Sequence, residues 1–285
     1  MKSTTHILFL ITAFFITLSS CDNEDEIKAP GTFTIAFDNK IGEENLSLRA
    51  AGDQTYDFTD ANGQQYNISK LGYYISGIKF FGPEGNGYAD PNKITADAAK
   101  LTGFYQVLES DPGSQAIHIS DVTANSYNRI EFTIGVKSYT VIETTPGGIL
   151  DPANGAWFLD MDAGYVNLGI EGNGSNSGQE YVSSGDEPEI LEGTFSLLFS
   201  GWKDVVPEAG QEPILVDNTR IIEFNFDEVI SVEEGLNPEV NINVDVAEIL
   251  EGIDFSQTFS VKRPADSRSF SDKFTEAFSL DSVTQ

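Results

Sequence analysis

Few side chains in this chain could do chemistry. Apart from His6 near the amino terminus, the sole imidazole is His118, so a hydrolytic triad would have to be built around that residue alone. Neither a G-x-S-x-G elbow nor a Walker phosphate loop occurs. Carboxylate pairs are plentiful, but a chain with 45 Asp and Glu produces them by chance. The residues therefore point to a protein that is not an enzyme. A hard cation is better served, because Ca²⁺ is held by carboxylate and carbonyl oxygens clustered on loops. Asp151-Pro152-Ala153-Asn154-Gly155, followed by Asp160-Met161-Asp162-Ala163-Gly164, offers such oxygens. Asp160 and Asp162 would share a strand face or converge in a turn. The competing reading is turn formation, for which Asp and Asn-Gly are chosen in any case. An EF-hand is excluded: Asp60-Ala61-Asn62-Gly63 matches part of that loop, but Phe58 stands at its first ligand position.

Cys21 is the only cysteine, which leaves no partner for a disulfide and no thiolate cluster for zinc. It follows Lys2, an apolar stretch from Ile7 to Leu18, and Leu18-Ser19-Ser20. The stretch is too short to span a bilayer, which takes about 20 apolar residues, and its basic flank and small terminal residues are those of a cleaved signal. Leu-Ser-Ser-Cys resembles the bacterial lipobox, so Cys21 is the expected lipidation site, and residues 1–20 the expected lipoprotein signal peptide. Residues 21–30, beginning Cys21-Asp22-Asn23-Glu24-Asp25-Glu26, read as a solvated acidic tether. An acidic run after a lipidated cysteine resembles the surface-export signal of Bacteroidota lipoproteins. The expected location is thus the outer membrane, lipid-anchored and facing the cell exterior, with the periplasmic face as the alternative.

The formal net charge is −29, and Lys and Arg are few and scattered, which argues against nucleic acid, whose phosphates are bound by displacing counterions with basic residues. Cations and basic partners are more natural ligands, although much of this charge serves solubility.

The elements that must position these groups alternate with period two, as half-buried strands do. Phe33, Ile35 and Phe37 form one such set, Ile130, Phe132, Ile134 and Val136 another. Ile222, Phe224 and Phe226, and then Val240, Ile242, Val244 and Val246, repeat the pattern. Asn62-Gly63 marks a tight hairpin. Tyr73 to Phe81, Val166 to Ile170 and Phe195 to Phe199 are further apolar runs. His118, between Ile117 and Ile119, would lie on the outer side of a strand. The sum is an all-β fold, an antiparallel two-sheet sandwich of Greek-key or immunoglobulin-like type, formed by one domain over residues 31–285. Gly172 to Glu189 reads as a mobile loop. The four-residue spacing of Phe270, Phe274 and Phe278 predicts a short C-terminal helix capped by Ser267 or Ser269.

The chain also resembles a family. Phe37-Asp38-Asn39-Lys40-Ile41-Gly42, Lys70-Leu71-Gly72-Tyr73-Tyr74-Ile75-Ser76-Gly77-Ile78 and Ile130-Glu131-Phe132-Thr133-Ile134-Gly135-Val136 look like successive blocks of the MbnP-like domain. Leu150-Asp151-Pro152-Ala153-Asn154-Gly155-Ala156-Trp157, then Gly164-Tyr165-Val166 with Glu171-Gly172, looks like its most recognisable block, and Phe274 to Asp281 like its closing segment. The resemblance implies an extracytoplasmic β-sandwich related to methanotroph copper-binding proteins, in which histidines and an oxidised tryptophan hold copper and a partner dihaem enzyme performs the oxidation. It makes His118 and Trp157 the candidates for weak copper binding, with Trp157 in the tryptophan-bearing block. The competing reading of Trp157 is a core anchor beside a turn. This sequence departs from the family where histidines are often carried: Phe195-Ser196-Leu197-Leu198-Phe199-Ser200-Gly201 and Asp281-Ser282-Val283 contain none. Two readings follow. One is a tethered metal-handling protein, copper-related or holding Ca²⁺ at Asp151, Asp160 and Asp162, with a dihaem oxidase or an outer-membrane receptor as partner. The other is a surface interaction module for a protein or glycan that has lost the copper site.

Overall fold

A computed structural model describes residues 28–83, 85–137, 146–183, 189–205, 208–212 and 214–285. The signal, Cys21 and the acidic run as far as residue 27 lie outside the described residues. Lys28 and Ala29, near the end of the expected tether, already touch the domain. Lys28 pairs with Glu233, and the Glu234 amide donates to the Ala29 carbonyl at 3.1 Å.

Strands dominate. They run β1 Gly31–Ile41, β2 Glu44–Asn45, β3 Phe58–Thr59, β4 Gln65–Phe81, β5 Gly87–Ala89, β6 Phe104–Leu108, β7 Ala116–Val122 and β8 Asn125–Ile134. The second half supplies β9 Phe158–Asp160, β10 Gly164–Gly174, β11 Thr194–Ser200, β12 Arg220–Val232, β13 Glu239–Asp245, β14 Ser260–Val261 and β15 Phe278–Thr284. They form two sheets. The smaller orders β15-β13-β1-β2, with β7 also on β1; the larger orders β12-β8-β4-β10-β11-β14, with β3, β5 and β6 also on β4 and β9 on β10.

Most of the period-two residues face inward as expected; Val136, past the end of β8 and beyond Gly135 at φ +109°, instead joins a second apolar cluster outside the inter-sheet core. Phe33, Ile35, Phe37, Ile130, Phe132, Ile134, Val240, Ile242 and Val244 are buried between the sheets. Phe37 of β1 makes edge contacts with Tyr73 of β4, Phe132 of β8 and Phe278 of β15, at centroid distances of 5.7, 6.0 and 6.5 Å, and so ties both sheets together. In β4 a register shift between Ser76 and Lys79 contains Gly77, whose φ of +62° suits glycine. This bulge re-phases the strand, so that Tyr73 and Ile75 on one side and Ile78 and Phe80 on the other all reach the core. The Asn62-Gly63 hairpin forms between β3 and β4, with Gly63 at φ +82° and the Asp60 carboxylate accepting from the Asn62 and Gln64 amides at 2.9 and 2.8 Å.

Several details differ from the sequence reading. Antiparallel pairing prevails, but β1 pairs β13, and β11 pairs β14, in parallel, so both sheets are mixed. Val246 leaves the strand pattern for a short helix, Val246–Leu250, because the Asp245 carboxylate caps it by accepting from Ala247 N at 2.9 Å. Gly172, Asn173 and Gly174 are not loop but the end of β10, paired to β4 and β11. The Asn173 side chain bridges to the Asn67 side chain and the Ala50 carbonyl there. The C-terminal helix Pro264–Ser271 carries Phe270, Phe274 opens a separate turn, Phe274–Ala277, and Phe278 starts β15. The three rings therefore do not share one helix. Neither Ser267 nor Ser269 caps it: Arg263 is at the cap and Pro264 at the first turn, while the Ser267 hydroxyl donates back to the Arg263 carbonyl at 3.1 Å.

Candidate functional site

The segment from Ile149 to Phe158 is held on the outer face of the larger sheet by two tyrosines. Tyr74 of β4 donates to the Ile149 carbonyl at 3.1 Å and accepts from the Trp157 amide at 3.2 Å and from Gln106 Nε2 at 3.2 Å. Tyr165 of β10 donates to the Leu150 carbonyl at 2.5 Å, and its ring meets that of Tyr74 edge-on at 5.7 Å. Both phenols are pushed up from their ordinary pKa by burial. Around them Phe104, Val136 and Leu150 form a second apolar cluster, separate from the inter-sheet core, with Trp157 and Phe158 packed at its margin.

Trp157 fits there because the sheet beneath it has glycines. A Cβ on Gly169 would approach Trp157 Cζ3 to 2.2 Å, and one on Gly72 would lie 3.6 Å from Cη2. These glycines are cross-strand partners, so together they make a recess for the indole. Lys70 Nζ stands 4.0 Å from the ring centroid. Half-burial lowers the Lys70 pKa, an effect that Glu171 partly offsets. Lys70, Ala156, Trp157, Leu198 and Glu171 line a cleft of about 210 Å³.

The expected calcium carboxylates are engaged with their own turns. Asp151 Oδ1 accepts from Ala153 N at 2.9 Å and Oδ2 from Asn154 Nδ2 at 3.0 Å. Asp160 Oδ1 accepts from Asp162 N at 2.9 Å and Ala163 N at 2.7 Å, and Asp162 is exposed. Among the described residues no three His, Cys, Asp or Glu side chains stand close enough to hold a metal ion. His118 lies in β7, exposed, 3.0 Å from Thr34 Oγ1 through Nδ1. Ile117 and Ile119 on either side are in the core, so His118 points out from the smaller sheet. Trp157 sits on the outer face of the larger one. Both sheets separate the two, and one copper ion cannot be shared between them.

The MbnP family model matches residues 30–267, from the start of β1 into the C-terminal helix. The chain belongs to the MbnP family. Its fold is similar to that of MbnP from Methylosinus trichosporium, at a TM-score of 0.51 and 13% identity over 81% of this chain and 80% of that one. No curated protein matches it. Within this MbnP-family chain the donors do not fit a copper centre at the tryptophan-bearing block. Copper leans on imidazole, thiolate or thioether, whereas Trp157 has a lysine amine over its ring and Met161 is 54% exposed at a turn.

Sequence reasoning singled out Trp157 but missed its supports, Tyr74, Tyr165, Gly72 and Gly169. A signal existed: Gly72 and Gly169 are glycines inside apolar strand runs, which marks a close approach by another group.

Proposed function

We propose that the protein is a non-catalytic binding protein of the MbnP family, anchored to the bacterial outer membrane through lipid on Cys21, displayed at the cell surface, and engaging its ligand on the outer face around Trp157. The observation that carries the reading is the mounting of Trp157. Two buried tyrosines and a glycine recess hold a half-buried indole at the rim of a cleft rather than in the core. Anchoring is supported by the lipobox-like Leu18-Ser19-Ser20-Cys21, placed a short way before β1. The separation of His118 from Trp157 favours a ligand other than copper.

Replacing Cys21 tests the anchoring directly. In the native host, Cys21→Ser is expected to release the protein from the membrane fraction, and protease added to intact cells is expected to degrade the wild type. Retention of the Cys21→Ser protein in the membrane would overturn the anchoring, and resistance of the wild type to external protease would overturn the surface location.

A further inference from the structure

The outer face of the larger sheet carries a row of polar side chains beside Trp157. Lys70 of β4 pairs in register with Glu171 of β10, Glu171 with Ser196 of β11, and Ser196 with Ser260 of β14. The row crosses four adjacent strands, three spacings or roughly 14 Å. The next residues along these strands, Leu71, Ile170, Leu197 and Val261, are buried in the core, so the row belongs to the opposite, outward side.

Two cavities meet on this row. One is the 210 Å³ cleft at Trp157; the other, of about 550 Å³, is lined by Ser69, Gln179, Ser196 and Lys262 and by the apolar side chains of Ile190 and Leu191. Glu171 lines both, and its Oε1 accepts from the Ser196 hydroxyl at 2.9 Å. Together they form a groove from Trp157 to Lys262, of a size suited to a small ligand.

The chemistry of this groove differs from that of the rest of the molecule. The chain carries 45 acids against 16 bases, yet here Lys70 and Lys262 balance Glu171 and Glu189. A basic peptide would be drawn to the acidic surface elsewhere, and an acyl chain would take the charges of Lys70, Glu171 and Lys262 out of water with nothing to replace it. Hydroxyl, carboxylate and amine groups interleaved with apolar Ile190 and Leu191 along a shallow trough, with an indole at one end, suit a chain of sugars, whose rings are themselves amphipathic. Such a ligand donates and accepts hydrogen bonds at every ring and packs its C–H faces on apolar carbon, here that of Ile190, Leu191 and the exposed margin of the indole.

We infer that the groove from Trp157 across Lys70, Glu171 and Ser196 to Lys262 is an oligosaccharide-binding site. The inference rests on the reading that the Trp157 face is the binding face, and it adds the ligand class. Neither depends on the lipid anchor, whose failure is read separately by fractionation of Cys21→Ser.

The test is titration calorimetry on the detergent-solubilised full chain with three defined probes: cellohexaose, an α-mannohexaose and hexagalacturonate, with oligo-lysine as a peptide control. At least one sugar is expected to bind with a dissociation constant below 1 mM, on the order of 4 kcal/mol or more. Its affinity should fall at least tenfold in Glu171→Gln and in Lys262→Met and stay unchanged in His118→Ala. Trp157→Phe, which keeps an aromatic filler in the recess, should weaken it and abolish any change in indole fluorescence. No binding by any of the three sugars, or binding indifferent to Glu171→Gln and Trp157→Phe, would overturn the sugar assignment. If oligo-lysine alone bound in a Trp157-dependent manner, the ligand class would be wrong and the binding face right; if nothing bound there, both would fall.

Discussion

The indole of Trp157 rests on Gly169 so closely that a methyl group at that residue would stand 2.2 Å from Cζ3. Gly169 is in mid-strand between Leu168 and Ile170, both wholly buried on the other side of the sheet, so its backbone has little freedom to retreat. Gly169→Ala is expected to push the indole off its recess and to cost about 1–3 kcal/mol, the usual penalty of overpacking. Urea unfolding would show the loss, and the emission of Trp157 would shift to the red. An unchanged midpoint would mean that the indole is not seated there.

Tyr74 is the junction on which the Trp157 segment hangs. Its hydroxyl serves Ile149, Gln106 and the Trp157 amide at once. Removing it in Tyr74→Phe leaves partly buried backbone groups without their partner, at a cost of about 1–3 kcal/mol. Amide exchange should accelerate from Ile149 to Trp157 while β1 and β13, in the other sheet, keep their protection. Uniform loss of protection would show that the segment is not a local unit.

Alkaline pH should unfold the domain through its tyrosines. Burial raises the phenols of Tyr66 and Tyr88 to about 12, and those of Tyr73, Tyr74, Tyr105 and Tyr165 also lie above their ordinary value. In the unfolded chain they ionise near 10, so above that pH the unfolded state binds fewer protons than the folded one, and stability falls as pH rises. Phenolate absorbance should therefore appear in a cooperative step that coincides with loss of the near-ultraviolet circular dichroism. Gradual ionisation with retained tertiary signal would contradict the burial.

Much of this was legible from the sequence because strand periodicity depends only on which residues are apolar. Phe33, Ile35 and Phe37, or Val240, Ile242 and Val244, could face only a core. Pairing partners were less accessible: nothing in the residues of β1 or β13 says that the two run parallel, since that is set by the route of the chain between them. Gly172 to Gly174 were misread because composition suggests loop. Yet Asn173 spends its side chain on Asn67 and Ala50, which holds the strand end in place. The phenylalanines at 270, 274 and 278 kept helical spacing by coincidence, since Phe278 is drawn into β15 by pairing with Val244. At the candidate site, Trp157 stood out by type and by family block. The distance between it and His118 could be read only once both sheets were placed.

The proposed lipid anchor at Cys21 and the separation of His118 from Trp157, which keeps them from sharing a copper ion, can be checked in one preparation. The measurement is intact mass and elemental analysis of the full protein purified from native-host membranes. The expected result is a chain beginning at an acylated Cys21 and copper well below one ion per chain. A chain retaining residues 1–20, or one copper per chain together with a mass shift in the Trp157 peptide, would contradict it.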